Sequence, residues 1–368
     1  MVREFCFFAN TGYLDQTPKS GGQSSARRVA RGIEDMGFHV HIIRRHRAEM
    51  EKRFAHKAEV LFFAFVDLIK IVVFLLLKNR KHYAFMHLSY AGPLVPYEYI
   101  LSLVTRFLGF KCLLYIKGGQ VLDCYTNGTK LHKWLYRQTL NLQEIVFFEG
   151  IESMDMARTL TTRPLCFFPN YVSEDQIPEQ VGRRDEQIVN ICYFGRIAPD
   201  KNVHVVVKSF ELLCEMGINA HLTIIGGAGQ RKNYVSQVDA MIKNSIYSDK
   251  ISRYGLSPFS FIRQILQLQH FFIFPTKEKC EGHSNSLTES MSQGVIPIVS
   301  DYHFNRSVVG NELLVVKGYD PQLYADRIRK ILNSCDLYAL SKELQLRVKE
   351  NFAYRVVTNR VYESLCSL

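Results

Sequence analysis

Residues 271–299 read Phe271-Phe-Ile-Phe-Pro-Thr-Lys-Glu-Lys-Cys-Glu-Gly-His-Ser-Asn-Ser-Leu-Thr-Glu-Ser-Met-Ser-Gln-Gly-Val-Ile-Pro-Ile-Val299, and this stretch predicts a complete β-α-β unit. The apolar runs at its two ends are typical of buried strands, and the polar segment between them continues into a helical pattern that ends at Gly294. The ligand side of such a unit is the carboxyl end of its strands. The stretch therefore predicts a parallel α/β sheet with a site in the polar segment.

The polar segment places two carboxylates, Glu281 and Glu289, eight positions apart. Ser286 and Glu289 have capping-box spacing, which predicts a helix that starts here, and its first-turn N–H groups and positive dipole end favour a diphosphate. Glu281 would precede the helix and Glu289 would lie on it, so that one could reach a transferred sugar and the other a ribose diol. The residues alone leave a second interpretation open, in which Glu289 is only a cap partner and Glu281 only a solvated loop acid.

The same alternation of strand-like and helix-like stretches extends through the whole chain. It predicts two doubly wound, Rossmann-like α/β domains that face a cleft. The boundary is expected in the polar stretch 169–184, which gives an N-terminal domain at 1–169 and a C-terminal domain at 170–340. Residues 341–368 are predicted to be closing helices that could cross back to the first domain. The strand candidates are Phe5–Ala9, Phe38–Ile43, Tyr83–His87, Lys111–Ile116, Glu144–Phe148, Ile188–Phe194, His221–Ile225, Ile251–Tyr254, Phe271–Phe274 and Val295–Val299.

Composition fits a globular protein with room for two domains, since the chain has 368 residues and is 47% hydrophobic. The nine cysteines are scattered and form no C-x2-C pair, which argues against a zinc site or a disulfide framework. The first residues carry Glu4 and lack a long apolar core, so they are predicted to form a strand and not a signal peptide. We therefore expect a cytoplasmic protein.

The positive charge is concentrated in the first half of the chain. The net charge is +11 overall and +9 over residues 1–169, where basic residues flank the apolar stretch Val60–Leu77. Asp67 and Lys70 at the middle of that stretch argue against a membrane span. Two interpretations stay open: a helix on an anionic membrane surface, and a core helix with ordinary basic flanks. No nucleic-acid partner is predicted, because no recognised motif accompanies the charge.

Glycines and cations stand where strands end, on the predicted ligand side. Gly195 and Arg196 follow one strand and Lys201 comes at the next helix start, where both cations could neutralise a diphosphate or simply be solvated. Gly226 follows the next strand and permits close backbone approach or a tight turn. There is neither a G-x-G-x-x-G fingerprint nor a G-x4-G-K-[ST] loop, which disfavours nicotinamide and P-loop chemistry.

The first half offers weaker site candidates. A glycine loop with Gly21 and Gly22 precedes the first helix, and it could face a ligand or be merely flexible. Lys117 and Gly118 end the strand at 111–116 on the ligand side. His87 ends the strand at 83–87 and is, with Lys117 and Gly118, a candidate for the acceptor or sugar side, although a histidine at a strand end is more often structural than catalytic.

Taken in order, the E-x7-E segment, the Gly195 to Lys201 segment and Pro169-Asn170 resemble the retaining family 4 glycosyltransferases of GT-B fold, over roughly residues 165–330. The resemblance implies that Arg196 and Lys201 bind the donor diphosphate, that Glu281 contacts the transferred sugar and that Glu289 contacts the ribose. Tyr254-Gly255 resembles the loop that lines the base. The resemblance further implies donor contacts through the backbone of Gly282, His283, Ser284, Asn285, Ser286 and Leu287.

The sequence departs from that family pattern at two positions. Many members have a histidine on the donor sugar where this chain has Lys117-Gly-Gly, so that role could fall to Lys117 or to backbone. Lys201-Asn202 stands where the family often has Lys-Gly.

The resemblance implies transfer of a sugar, with retained configuration, from a nucleoside diphosphate sugar, and UDP is expected as the commoner donor nucleotide in that family. It implies no metal and no other cofactor, and no D-x-D motif is present to hold a metal. The expected acceptor is a lipid-linked oligosaccharide or similar glycan in surface polysaccharide biosynthesis, such as capsule, lipopolysaccharide or O-antigen. The N-terminal domain would bind the acceptor and could contact the inner face of the cytoplasmic membrane. Two alternatives are a sugar-nucleotide epimerase of the same fold and a non-catalytic basic module that binds membrane or nucleic acid.

Overall fold

The computed structural model describes residues 2–16, 21–46, 55–185, 187–227 and 232–368. The chain forms two compact units: Met1–Pro169 together with Thr358–Leu368, and Asn170–Val357. Each unit contains one six-stranded sheet, and the pairings between described strands are all parallel. The predicted class, two Rossmann-like α/β sheets, is confirmed. Residues 341–368, which were predicted to be closing helices, are divided between the two units, because the chain passes from the second unit to the first at Thr358.

The sheet of the first unit has the order β2-β1-β3-β4-β5-β6. Its inner strands, β1, β3, β4 and β5, are buried on both faces, as helix-covered parallel strands must be, and five successive residues of β1 have no exposed surface. The elements are β1 (Glu4–Ala9), β2 (His39–Arg44), β3 (Tyr83–Ser89), β4 (Lys111–Ile116), β5 (Ile145–Phe148), β6 (Leu165–Phe167), α1 (Gly21–Asp35), α2 (Ala55–Leu76), α3 (Val95–Phe107), α4 (Gln120–Thr126), α5 (Lys130–Asn141) and α6 (Ile151–Arg158).

The sheet of the second unit has the order β12-β11-β10-β7-β8-β9. The sequence predicted every strand of both sheets except β6 and β12, which are too short to show a period. The elements are β7 (Val189–Phe194), β8 (Ala220–Ile225), β9 (Ile251–Tyr254), β10 (Phe271–Phe274), β11 (Ile296–Ser300), β12 (Val315–Val316), α7 (Val203–Glu215), α8 (Lys232–Asn244), α9 (Phe259–Leu266), α10 (Asn285–Ser292), α11 (Asn305–Val309), α12 (Pro321–Ser334), α13 (Leu337–Asn351) and α14 (Tyr354–Cys366).

Helix α2 shows two apolar faces. One face packs into the core of the first unit through Ile71 and Leu75, which are at most 1% exposed. The buried carboxylate of Asp67 on the same helix accepts a hydrogen bond of 2.9 Å from the backbone N–H of His46, which explains a charge within an apolar helix. The opposite face leaves large side chains exposed: Leu61, Phe62, Phe65, Ile69, Val73 and Leu76.

The core interpretation of the 60–77 stretch therefore holds for one face of α2. Arg47, Lys52 and Arg53 of the predicted basic flank lie outside the described residues. Among the helices that are described, none combines the length and apolar character needed to cross a membrane.

Candidate active site

The carboxyl ends of β7 and β10 form the candidate site of the second unit. From β7 the chain proceeds to β8 and β9 on one side of the sheet, and from β10 to β11 and β12 on the other. The loops after β7 and β10 therefore leave the same edge where the strand order reverses, which is where open α/β sheets bind ligands. These loops carry the predicted Gly195 to Lys201 and Glu281 segments.

Backbone and side-chain hydrogen bonds join the two loops. The Lys277 N–H donates to the carbonyl of Asp200 at 2.8 Å, and Asn202 Nδ2 donates to the carbonyl of Pro275 at 2.9 Å. Asn202 has a left-handed backbone with φ +50°, a conformation that glycine favours and asparagine tolerates better than most residues. Asparagine therefore fits where the resembled family often has glycine, and its side chain adds a bond that glycine lacks.

Arg196 and Lys201 meet two carboxylates. Lys201 Nζ, whose side chain is 8% exposed, hydrogen-bonds to Glu281 and lies 2.8 Å from Glu278 Oε2. Arg196 Nη2 donates to the other oxygen, Oε1, of Glu278. Tyr193, buried in β7, fixes the Arg196 backbone by donating to its carbonyl at 2.7 Å. The structure thus brings three predicted site residues, Arg196, Lys201 and Glu281, into one ionic cluster.

Glu278 belongs to this cluster, and sequence reasoning missed it. Its only signal was an acid in the same loop three residues before Glu281. Burial by itself raises the pKa of Glu278, but the Lys201 and Arg196 cations together outweigh that effect and lower the pKa. Burial lowers the pKa of Lys201 despite the attraction of Glu278. The two cations are therefore neutralised by this chain's own acids.

The helix after the loop begins earlier than the capping-box prediction. Ser284, not Ser286, is the N-cap of α10, and its side chain makes no cap hydrogen bond; the Ser284 and Ser286 hydroxyls lie 3.0 Å apart. The turn is held instead by Thr288, whose Oγ1 lies 2.9 Å from His283 Nε2 and donates to the Ser284 carbonyl at 3.1 Å. Asn170 Nδ2 donates to the His283 carbonyl at 2.6 Å. The first turn of α10 is thus held in place by these bonds. The first N–H groups of any helix have no acceptors within the helix.

Other predicted residues of this segment have distinct surroundings. Glu281 lies before α10 and Glu289 lies on it, as predicted, and both are partly exposed. The side chain of Leu287 is fully buried, so only its backbone can face a ligand. Gly282 and Asn285 are partly exposed.

Gly195 and Gly226 mark a close approach of the loops after β7 and β8. Both have positive φ, +143° and +153°, and a Cβ built at Gly226 would lie 1.9 Å from the carbonyl oxygen of Gly195. A side chain at Gly226 is therefore excluded by backbone. The sequence continues Gly226-Gly-Ala-Gly229, and residues 228 and 229 lie outside the described residues. Gly255 follows β9. A Cβ built at Gly255 would meet no heavy atom within 4 Å, so the space around it is open.

In the first unit, Lys117 and Gly118 follow β4 as predicted, but Lys117 is engaged in a buried pair. Its Nζ lies 3.0 Å from Glu149 Oε1 and donates to Ser25 Oγ, and the Gly118 N–H donates to Glu149 Oε2 at 2.8 Å. Burial lowers the pKa of Lys117, and Glu149 partly offsets this. Glu149, at the end of β5, was also missed by the sequence.

Two first-unit predictions need correction. His87 does not end its strand, since β3 continues to Ser89, and it is fully buried with no hydrogen-bond partner for either ring nitrogen among the described residues. Its position inside the sheet removes the reason for assigning it to the acceptor side. Gly21 and Gly22 belong to the first turn of α1 and not to a loop, whereas residues 18–20 lie outside the described part.

Among the described residues, one group has the composition of a metal site: Glu4, His39 and His41. His41 Nε2 lies 3.2 Å from Glu4 Oε2 and 3.1 Å from the Tyr83 hydroxyl, which itself donates to Glu4. Glu4 and His39 stand at the beginning of strands, the opposite end from Lys117, and Glu4, His41 and Tyr83 bond to one another. They belong to no predicted site.

The family model described as "Glycosyl transferases group 1" matches residues 166–351. The chain belongs to this family. That range contains the loops after β7 and β10 and the whole of α10, so the ionic cluster lies inside the family's matched region. The predicted glycosyltransferase family is confirmed.

Relatives of this group 1 glycosyl transferase include the capsular polysaccharide biosynthesis glycosyltransferase CapM of Staphylococcus aureus, 23% identical over 168 residues. That match spans 45% of this chain and 43% of CapM, less than half of either.

Solved structures show the same fold. The Anabaena protein Alr3699/HepE in complex with UDP matches with a TM-score of 0.71 and 9% identity, over 99% of this chain and all of that one. A glycosyltransferase from Rickettsia africae matches with a TM-score of 0.71 and 15% identity, over 99% of both chains. Sucrose-phosphate synthase from Thermosynechococcus elongatus matches with a TM-score of 0.70 and 13% identity, again over 99% of both. The fold of the chain is GT-B.

Proposed function

We propose that this chain moves a sugar from a nucleoside diphosphate sugar, a UDP-sugar, to a hydroxyl of a lipid-linked oligosaccharide or similar glycan acceptor, with retained configuration. The observation that carries the proposal is the convergence of Arg196, Lys201 and Glu281 at the strand-order reversal of the second unit. Family membership supports glycosyl transfer as the chemistry. The CapM relative supports a place in surface polysaccharide biosynthesis, capsule above all.

The donor's diphosphate is assigned to Arg196, Lys201 and the N-terminus of α10. A guanidinium, an ammonium and oriented backbone N–H groups all favour phosphate oxygens. Glu281 is assigned to the transferred sugar and Glu289 to the ribose. The HepE structures with UDP and with UDP-glucose support a uridine nucleotide for a protein of this fold.

In the proposed reaction the bond between the anomeric carbon and the diphosphate oxygen breaks, and the acceptor oxygen bonds to that carbon on the same face. The acceptor's proton passes to the departing phosphate oxygen. The negative charge that develops on the diphosphate is stabilised by Arg196, Lys201 and the α10 N-terminus, so we propose that no metal ion is required.

The acceptor is assigned to the first unit, whose residues 1–169 carry the charge excess of +9. Lys117 and Gly118 at the end of β4 are the candidate residues toward the sugar or acceptor. The exposed apolar face of α2, with the exposed cations Lys70, Arg80 and Lys81 on and beside the helix, fits an anionic membrane surface. We therefore propose a cytoplasmic enzyme that works at the inner membrane face.

A melting-temperature screen with UDP, GDP and their sugars identifies the donor, since a ligand that binds the folded state raises the melting temperature. Transfer from the best donor is then measured for wild type, Arg196→Ala and Glu281→Ala. Each variant removes a charge-assisted contact, and we expect kcat/KM to fall by about 10- to 100-fold or more. Unchanged transfer in both variants would refute the proposed site.

Incubation with donor alone separates transfer from the epimerase alternative. A new sugar nucleotide formed without acceptor would support an epimerase. Product that depends on added acceptor, with the anomeric configuration of the donor shown by nuclear magnetic resonance, supports the proposed reaction. Activity that persists in excess chelator supports metal independence.

A further inference from the structure

We propose that Glu278 is an internal substitute for the donor's phosphate: its carboxylate holds Arg196 and Lys201 before the donor binds, and the incoming diphosphate displaces it. This inference rests on the proposed function, because it concerns how the same site accepts its donor. It assigns a positioning role to a residue outside the E-x7-E motif.

The geometry of the carboxylate is the first argument. Glu278 gives one oxygen to each cation: Oε1 accepts from Arg196 Nη2, and Oε2 lies 2.8 Å from Lys201 Nζ. A phosphoryl group can likewise give one oxygen to each of two cations. The Glu278 side chain is only 17% exposed, so it occupies these donors and is not a solvated surface acid.

The charge balance of the cluster is the second argument. Arg196 and Lys201 are matched by Glu278 and Glu281, so the four groups sum to zero. A diphosphate that entered with Glu278 in place would meet no net positive charge and would lie against a like charge. When Glu278 leaves and Glu281 turns to the sugar, both cations face the diphosphate.

The chain around Glu278 offers a route for that movement. The residue stands in the loop between β10 and α10, between the exposed Lys277 and Lys279. The Glu281 N–H donates to the carbonyl of Glu278 at 2.9 Å, so a shift at one residue is transmitted to the other. Donor entry at the cations is thereby coupled to the acid assigned to the sugar, and the returning carboxylate assists release of the nucleotide product.

The test is the affinity for UDP and GDP, measured by calorimetry on the full chain. Glu278→Gln removes the competing charge with little change of shape, and we expect the nucleoside diphosphate to bind at least about tenfold more tightly. Binding of uridine, which has no phosphate, stays unchanged. Glu278→Asp, which keeps the charge, binds closer to wild type. The matched control is Glu312→Gln, which removes an exposed carboxylate paired with Arg306 elsewhere in the unit.

Steady-state kinetics add a readout that a merely structural role would not give. We expect the KM for donor to fall in Glu278→Gln while kcat does not rise, since nucleotide release slows. Glu278→Ala is the second variant, in case the glutamine protein folds poorly. Equal or weaker diphosphate binding in these variants, or loss of folding in both, would overturn the inference.

The failure of the two proposals can be told apart. If Arg196→Ala weakens UDP or GDP binding but Glu278→Gln does not strengthen it, the proposed function stands and the role of Glu278 is refuted. If neither nucleotide binds wild type or Glu278→Gln, both proposals fail together.

Discussion

At the scale of single residues, the second unit depends on a glycine that no other residue can replace. Gly226 combines φ +153° with a built Cβ only 1.9 Å from the Gly195 carbonyl oxygen. Gly217 also has positive φ, +82°, but a Cβ there meets no heavy atom within 4 Å. A side chain at Gly226 would therefore suffer both backbone strain and steric overlap, whereas one at Gly217 would suffer backbone strain alone.

We predict that Gly226→Ala lowers the free energy of unfolding by about 3 kcal/mol or more, because strain and a backbone clash add. Gly217→Ala, the control with strain alone, is expected to cost about 1 kcal/mol. Urea denaturation of the two variants and wild type measures both values. Equal costs would show that the loops after β7 and β8 are not in contact.

Asn202 directly follows Lys201, and its left-handed backbone and its bond to the Pro275 carbonyl hold this part of the loop. We predict that Asn202→Ala costs about 2 kcal/mol of stability, since it loses the bond to Pro275 and strains a left-handed backbone. Asn202→Gly loses the bond but keeps the conformation and is expected to cost about 1 kcal/mol or less. Thermal unfolding gives the order of the variants. If the Asn202→Ala variant were as stable as Asn202→Gly, the left-handed backbone of Asn202 at the start of α7 would be contradicted.

At the scale of elements, α2 is the helix with one buried and one exposed apolar face. The variant Phe62→Ser with Phe65→Ser removes two exposed rings, each 62% exposed, and should leave stability within about 0.5 kcal/mol. It should weaken sedimentation with vesicles of mixed anionic and neutral lipid, because both rings would insert into the surface. Higher salt should weaken binding of wild type as well. Undiminished sedimentation of the double variant would refute the membrane proposal.

The core face of α2 supplies the opposite control. Ile71→Ala should cost about 2 to 4 kcal/mol, because Ile71 is 1% exposed and leaves a cavity, while vesicle binding of the folded fraction stays unchanged. A variant that loses both stability and vesicle binding would show that the two faces are not independent.

At the scale of the whole molecule, each unit contains a buried neutral histidine that makes it sensitive to acid. Burial, aided by the Arg45 charge, lowers the pKa of His87 to about 3, and burial lowers that of His270 to about 4 with help from Arg184. Below the ordinary value near 6.5 the unfolded chain binds protons that the folded chain does not, so stability is lost as pH falls from about 6.5 toward 3 to 4.

We predict that each unit loses about 2 kcal/mol between pH 7 and pH 5 through its histidine. Urea denaturation across that range measures the slope, and His87→Leu should flatten it for the first unit. The control is His82→Gln, since His82 is exposed. A slope that persists in His87→Leu would place the acid sensitivity elsewhere.

The fold was predictable at the level of elements because strands and helices depend on local patterns. Apolar runs bounded by glycine and proline predicted ten of the twelve strands, and the two that were missed, β6 and β12, contain three and two residues. The helix start at Ser284 was misplaced because Ser284 and Ser286 offer equivalent hydroxyls to a local rule. His87 was misplaced for a similar reason, since the strand continues through polar Ser89.

The sequence by itself determined the α/β class and the two units, and it singled out Arg196, Lys201 and Glu281 as site candidates, because periodicity and motif spacing are properties of neighbouring residues. Only the tertiary structure decided that β10 lies beside β7, and this places Glu278 and Glu281 on cations some 80 positions earlier in the chain. It also decided which face of α2 is buried. Strand order and burial arise from contacts between distant segments, and no local pattern encodes which segments those are.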